Sequence, residues 1–547
     1  MKHIIKNILP VAALALTCGM TSCTKDLDVS PINPNLATEV NINGLFNKCY
    51  ANMAISGNSG GDGECDIDGI DGGTSGFVRQ MWNSNELTTD EAICSWGDDG
   101  IEQFCYNTYD ANHPMLNGYY ARLTTGVSYC NHYLEIASGH DATMTAEIRF
   151  VRALYYYLLM DAFGNIPFAT TLTTPTQLSR QEAFEWIENE LLECEPNLSD
   201  AKAKKSSDDN YGRADKAAAW MLLSRLYLNA EVYTGTAQWQ KAADYAKKVI
   251  DSDYKINMTG EKGWSAYQML FMGDNGETNA AYECILPLLC DGLKTTSWAC
   301  SLYLIASTYD ADMHSNPNDP IATNGTGQGW GGNRARKDLV LKFFPNGVPA
   351  EAQNVQAFTM KASAGDDRAL FCSYGGVDDE NNPTPRTLDN VNGYAGDFKD
   401  GYAVTKFTNF KTDGSAGSDP TFPDADFFLF RLPEAYITYA EATARLNGGT
   451  ATAEGVKYLN DLRIRANTTT KASFTTDEIL DEWQREFYFE GRRRVDLIRY
   501  NKFGGDNNYT WTWKGGAKAG KKFSAEKNIF AIPEEQVKGA IQQNPGY

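Results

Sequence analysis

Apolar residues between Arg213 and Ser252 fall into two helical patterns separated by a break. In the later pattern Trp239, Ala242, Ala243, Ala246, Val249 and Ile250 recur at i, i+3, i+4 and i+7. Gln240, Lys241, Asp244, Lys247 and Lys248 take the opposite face. The earlier pattern, Lys216 to Ala230, is apolar nearly all round, which predicts burial between neighbours. Small Ala residues allow close approach, and Trp220, Tyr227 and Tyr245 fill the remaining space. Gly235, between Thr234 and Thr236, marks the turn.

This antiparallel pair has the size, about 34 residues, of a tetratricopeptide-type unit, which buries its faces only against neighbouring units. Other helical patterns supply them. Leu45 to Ile55 and Tyr119 to Ile136 read as helices, and Thr145 to Phe163 is a stronger one, ending at Gly164 with Pro167 beyond. Ser179-Arg180-Gln181-Glu182 is a capping box, opening a helix with Phe184, Ile187, Leu191 and Leu192 on one face. Helix returns at Leu432 to Leu446 and Gly455 to Ala466. A second capping box, Thr475 to Glu478, precedes ILDEWQREFYFEGRRRVDLIRYNKF. Two stretches break the pattern. Ser56 to Gly76 is Gly- and Asp-rich and reads as a long surface loop. Gly260 to Phe430, rich in Gly, Asn, Asp and Thr, predicts loops with a few short strands and helices laid over the scaffold. The expectation is an all-α fold: a helical-repeat scaffold with a large irregular lobe.

The first residues read as a targeting segment. Lys2 and Lys6 precede a short apolar run, Ile8 to Leu16, too short to span a membrane. Met20-Thr21-Ser22-Cys23 then resembles a lipoprotein signal, although it lacks the usual Leu at the first place and a Gly or Ala just before Cys. Residues 1–22 are therefore expected to be removed. Residues 23–547 would form one domain, acylated at Cys23 and tethered by the polar Thr24 to Pro34. A net charge of -21 argues against nucleic acid, whose phosphates it would repel. Five His residues are few for a metalloenzyme. Ten cysteines lie beyond Cys23, with no CxxC, and read as small buried thiols; export would permit disulfides.

Four segments together resemble the SusD/RagB family of outer-membrane, cell-surface lipoproteins. They are Glu482 to Arg493 with Asp496-Leu497, the terminal Ile532-Pro533 to Tyr547, Glu147 to Phe168, and Phe427 to Ala442. The helical pair matches as well. The resemblance implies an α-helical core of tetratricopeptide-like units with a ligand site on a loop-rich face. It implies binding without catalysis, and glycan delivery to a TonB-dependent, SusC-like outer-membrane transporter. Glu486, Glu490, Arg492, Arg493 and Asp496 in the matching motif are read as ion pairs holding the fold.

Candidate chemistry narrows the picture further. A pyranose ring stacks its C–H face on Trp or Tyr and wants Arg, Asp, Asn or Gln for its hydroxyls. Arg79 and Trp82, then Trp96-Gly97-Asp98-Asp99, offer that combination in a polar region. The spacing from Arg79 to Trp96 resembles the ligand loop of starch-binding family members, with Cys94 standing where a second aromatic was expected. Trp298, and Trp330 beside Arg334, are further candidates. Gly57-Asn58-Ser59-Gly60-Gly61 matches GxSxG, and Gly327 to Gly332 matches GxGxxG; neither has the strand-turn-helix context its chemistry needs. No carboxylate pair stands out for glycoside hydrolysis. Two acidic clusters invite a structural calcium: Asp62, Glu64, Asp66, Asp68 and Asp71, and then Asp274, Glu277, Asn279 and Glu283. Their spacing is not that of an EF-hand, and solvated loops are the simpler reading. The expected function is surface capture of an oligo- or polysaccharide, with a starch-like glucan leading. The alternatives are a peptide-binding relative, a glycosidase and a plain helical adaptor.

Overall fold

Described residues of the computed structural model are 40–313 and 324–547. The signal segment, Cys23 and the polar tether lie outside them. Contacts divide the chain into Met1–Leu45 and Phe46–Tyr547. Among the described residues helix takes 43% and strand 8%, so the fold is all-α.

The helical pair forms as the periodicity predicts. Asp215 caps Lys216–Leu228 by accepting from Ala217 N and Ala218 N. An unforeseen short helix, Ala230–Thr234, follows, and Gly235 ends it in the left-handed region at φ 74°. Trp239–Ile250 buries Ala242, Ala243, Ala246 and Val249. It packs between Lys216–Leu228 and Pro433–Leu446, the neighbours that an apolar stripe requires. Upstream, Pro114–Ala137 packs on Ala142–Phe163, which in turn packs on Arg180–Cys194. Both capping boxes are present, at Ser179 and at Thr475. The first described helix is Ile42–Ala51, three residues earlier at its start than the pattern suggests.

Among the described residues there are five two-stranded antiparallel sheets with strands of two to five residues; Ile166–Phe168 with Thr176–Leu178 lies in the helical half, and the others lie in or against the irregular lobe. One ties the lobe to the chain before it, and another closes the lobe on itself. Ala92–Cys94 pairs with Asn333–Ala335, and Cys284–Leu288 pairs with Phe427–Arg431. The Gly-rich stretch Ser56 to Gly76 is not all loop. Gly72–Ser75 makes one helical turn because the Asp71 carboxylate accepts from Thr74 N.

The motif after Thr475 is not one helix either. Thr476–Phe487 stops, Phe489 and Gly491 take left-handed φ of 64° and 78°, and helix resumes at Arg493–Arg499. Two buried acids accept from the broken turn. Glu91 Oε2 receives Phe489 N at 3.1 Å, and Glu86 Oε1 receives Gly491 N at 2.6 Å and Arg492 N at 2.9 Å. The motif's charges pair as its residue types suggest. Arg431 bridges Glu486 and Glu490 at 2.7 Å each, Arg493 meets Asp90 at 2.8 Å, and Arg499 meets Asp496 at 2.7 Å. Burial opposes ionisation of Glu486, but Arg465, Arg431 and Arg368 outweigh it and hold the carboxyl down at about 2. Of the ten described cysteines, eight are buried.

Candidate functional site

Four chain segments converge on a hollow of about 320 Å³ lined by Gly73, Arg79, Trp96, Asp98, Trp298, Tyr303 and Trp330. Each segment arrives for a local reason. Helix Phe77–Trp82 begins at Gly76, where a Cβ would overlap Ala299 Cβ; Arg79 N then donates to Ala299 O at 3.1 Å. That contact sets Arg79 beside the 297–300 turn and hence beside Trp298. Strand Ala92–Cys94 pairs with Asn333–Ala335 and continues as Ser95 N to Gly332 O at 3.1 Å. This brings Trp96 to Trp330, whose carbonyl accepts from Trp96 Nε1 at 3.0 Å.

The three indoles form an arc. Trp330 lies 6.3 Å from Trp96 and 6.2 Å from Trp298, ring centre to ring centre, with planes tilted by 53° and 46°. Tyr303, on helix Ser301–Ala306, meets Trp96 edge-on at 6.1 Å. The Arg79 guanidinium stands 5.8 Å from the Trp96 ring and 5.6 Å from that of Tyr303. It donates to Asp98 Oδ2 at 2.7 Å, while its buried Nε has no partner among the described residues. Trp298 donates to Asp62 Oδ1 at 3.0 Å and packs on Phe422 at 4.9 Å.

Both dismissed glycine motifs serve this arc. Gly61 lies against Phe422 and Trp298, where a Cβ would come within 2.7 Å of Phe422 and 3.2 Å of Trp298 Nε1. Gly332 lies under Trp96. Close approach of ring to backbone, not phosphate binding or nucleophile presentation, explains the spacing.

Some sequence candidates fall elsewhere. Trp82 is core, not part of a polar loop. It is 1% exposed, donates to Phe489 O at 3.0 Å and packs edge-on against Tyr303 and Phe489. Arg334 is buried and turned away, donating to Asp400 O at 2.7 Å and Gly393 O at 2.6 Å. Asp99 is exposed but does not line the hollow. Cys94 is buried in its strand, and burial pushes its thiol up to about 12. Tyr303 and Gly73 were missed. Tyr303 sits in an apolar helical run, TSWACSLYLIAST, where nothing marks one ring as facing a cavity. The acidic loop is largely committed. Asp66 pairs with Lys48 and Arg122 at 2.7 Å each, and Asp71 caps a helix. Glu283 faces Arg465 at 3.1 Å rather than joining Asp274. Among the described residues no group of three His, Cys, Asp or Glu is arranged to hold a metal ion.

Fold and site define a class: an all-α scaffold that displays an aromatic, charge-rimmed hollow on its loops. Comparison with known proteins gives the class its family. The SusD family matches residues 306–547, and a family described as starch-binding, associating with outer membrane, matches residues 26–228. The starch-binding protein SusD of Bacteroides thetaiotaomicron is 38% identical over 579 aligned positions, covering 99% of each chain. The chain belongs to the SusD family. Solved structures agree on the fold. Surface glycan-binding protein A from Bacteroides uniformis superposes with a TM-score of 0.64 at 20% identity, covering 92% of this chain and 98% of that one. A laminarin-binding SusD-like protein gives 0.63 at 21% identity, covering 93% and 99%. The surface glycan-binding protein A of Bacteroides thetaiotaomicron, solved with laminarihexaose, gives 0.63 at 18%, covering 92% and 98%.

Proposed function

We propose that this protein captures glycan chains at the outer membrane surface and hands them on uncleaved. The observation that carries the reading is the three-tryptophan arc with Arg79 and Asp98 at its rim. Tilted indoles offer a curved apolar wall, which suits a helical or bent glucan better than a flat one. The arginine fork and the carboxylate supply polar partners for ring hydroxyls. Trp96, Trp298 and Trp330 are assigned to stacking, Arg79 and Asp98 to hydroxyl recognition, and Tyr303 to backing the Trp96 ring. The strong likeness to a starch-binding relative supports an α-glucan as ligand. In this reading the chain is held on the membrane by acylation at Cys23 and passes its cargo to a TonB-dependent barrel.

Calorimetric titration of the purified protein with soluble starch and with laminarin tests it. Saturable binding of starch without release of reducing ends is expected. Binding of neither polymer, or reducing ends that vanish with a single carboxylate substitution, would overturn it. Co-purification with a barrel from mild detergent tests the delivery step, and recovery only as a free monomer counts against it.

A further inference from the structure

A second cluster of aromatic rings stands at the far end of the helix that leaves the hollow. Helix Ile101–Tyr106 starts two residues after Asp99 and climbs about 9 Å over its six residues. Its last residue, Tyr106, meets Trp513 at 5.8 Å with planes 33° apart and Tyr394 at 5.4 Å edge-on. All three rings are only part-buried. Glu102, Gln103, Asn392 and Lys518 around them are exposed.

The cluster is built, and at a cost. Trp513 holds φ 68° and ψ 11°, a left-handed conformation that a bulky side chain rarely adopts. Its Nε1 is pinned to Asn390 O at 2.5 Å, and Gly516 N returns to Trp513 O at 3.0 Å. Gly393, itself at φ 66°, makes room: a Cβ there would overlap Tyr106 Oη and come within 3.2 Å of Trp513 Cε2. A strained aromatic on a surface, with glycine cleared beneath it, needs a reason beyond the core, since the core does not use it.

Exposed residues lead from the hollow to this cluster: Asp98, Asp99, Glu102 and Gln103 are all exposed, and Tyr106 follows on the same helix. The two regions are also tied internally. The turn carrying Gly393 and Tyr394 is tied to the strand after Trp330 by Arg334, which donates to Gly393 O at 2.6 Å. The same turn runs on to Phe398, which packs against Gly331, next to Trp330.

We infer that Tyr106, Tyr394 and Trp513 form a second stacking platform for the same glycan chain, engaged only by chains long enough to extend beyond the tryptophan arc. This rests on the glycan-capture reading. The ligand class is a neutral polysaccharide, with ring C–H faces on the aromatics and hydroxyls on the polar rim.

Two substitutions test it, Tyr394→Ala and Trp513→Gly, with maltotriose as the short probe and soluble starch as the long one. Glycine relieves the left-handed backbone at position 513, which offsets part of the packing lost with the ring, so the melting temperature should fall only slightly. Starch affinity should fall roughly threefold to tenfold in each variant. Maltotriose affinity should match wild type. Unchanged starch affinity in both variants overturns the second platform and leaves the tryptophan arc standing, provided Trp96→Ala still weakens binding. A protein partner for this surface would give that same unchanged affinity. A large fall in melting temperature for Trp513→Gly with starch affinity kept would show the ring to be packing, and would also overturn it. Failure of the wild-type protein to bind either probe would remove both readings together.

Discussion

The indole of Trp96 lies on the bare Cα of Gly332: a methyl group added to that glycine would overlap Cε2, Nε1 and Cζ2 of the ring. Gly332 is not in the left-handed region, so alanine there meets no backbone penalty of its own. The ring would have to move. Gly332→Ala should therefore weaken glycan binding although it deletes no contacting atom. Trp96→Ala sets the scale, a loss of about 1–3 kcal/mol or roughly 5- to 150-fold. Titration of both variants against starch checks this. Wild-type affinity in Gly332→Ala, with Trp96→Ala impaired, would mean that the ring's position does not matter.

Trp82 and Trp96 belong to different categories of tryptophan. Trp82 is fully enclosed and packs on Phe489, so Trp82→Ala should cost about 3–5 kcal/mol of stability. Trp96 is only part-buried, and its removal should cost less. Denaturant unfolding of the two variants side by side decides; equal losses would place Trp96 in the core.

Asp98 and Asp99 are neighbours with unequal prospects. Asp98 accepts from Arg79 at 2.7 Å and lines the hollow, whereas Asp99 does not line it. Asp98→Ala should weaken binding severalfold, and Asp99→Ala should stay within about twofold of wild type, the usual range for a surface change. A larger effect at Asp99 than at Asp98 would show that the ligand approaches from the outer side of the loop.

The buried pair Glu86 and Glu91 should give stability a pH dependence on its alkaline side. Burial dominates at Glu91 and, with Asp90 nearby, lifts its carboxyl to about 7 from 4.5; Glu86 is raised as well. The fold therefore favours the protonated form. Its stabilising contribution is full below about 4.5 and fades as pH rises through about 7. Glu486 and Asp496, held at about 2, act in the opposite sense, and their contribution is lost as pH falls toward that value. Glu91→Gln should flatten the urea midpoint between pH 5 and 8 relative to wild type. A wild-type midpoint already flat across that range would contradict the assignment.

Cys23 carries the proposed anchor. Mass spectrometry of protein extracted from membranes should find acyl groups on an N-terminal Cys23, and Cys23→Ala should leave the protein in the soluble fraction. An unmodified N-terminus at another residue would refute it.

Sequence alone determined the scaffold, because its signals are local. Helical periodicity over Trp239–Ile250, the capping boxes at Ser179 and Thr475, and Gly235 as a left-handed stop each act within a few residues. Residue chemistry also picked out Arg79, Trp96, Asp98, Asp99, Trp298 and Trp330; a ring such as Trp96, set among Gly and Asp, has no apolar stripe to join. Only tertiary structure decided that Arg79, Trp96, Asp98, Trp298 and Trp330 share one hollow, that Tyr303 backs it, and that Asp99, Trp82 and Arg334 do not take part. Those outcomes depend on contacts between segments more than 200 positions apart, such as the pairing of Ala92–Cys94 with Asn333–Ala335. The break at Phe489 was hidden for the same reason. The backbone there leaves its helix because Glu86 and Glu91, some 400 positions earlier, accept the hydrogen bonds of the turn, and no pattern within the motif records where those acids will be.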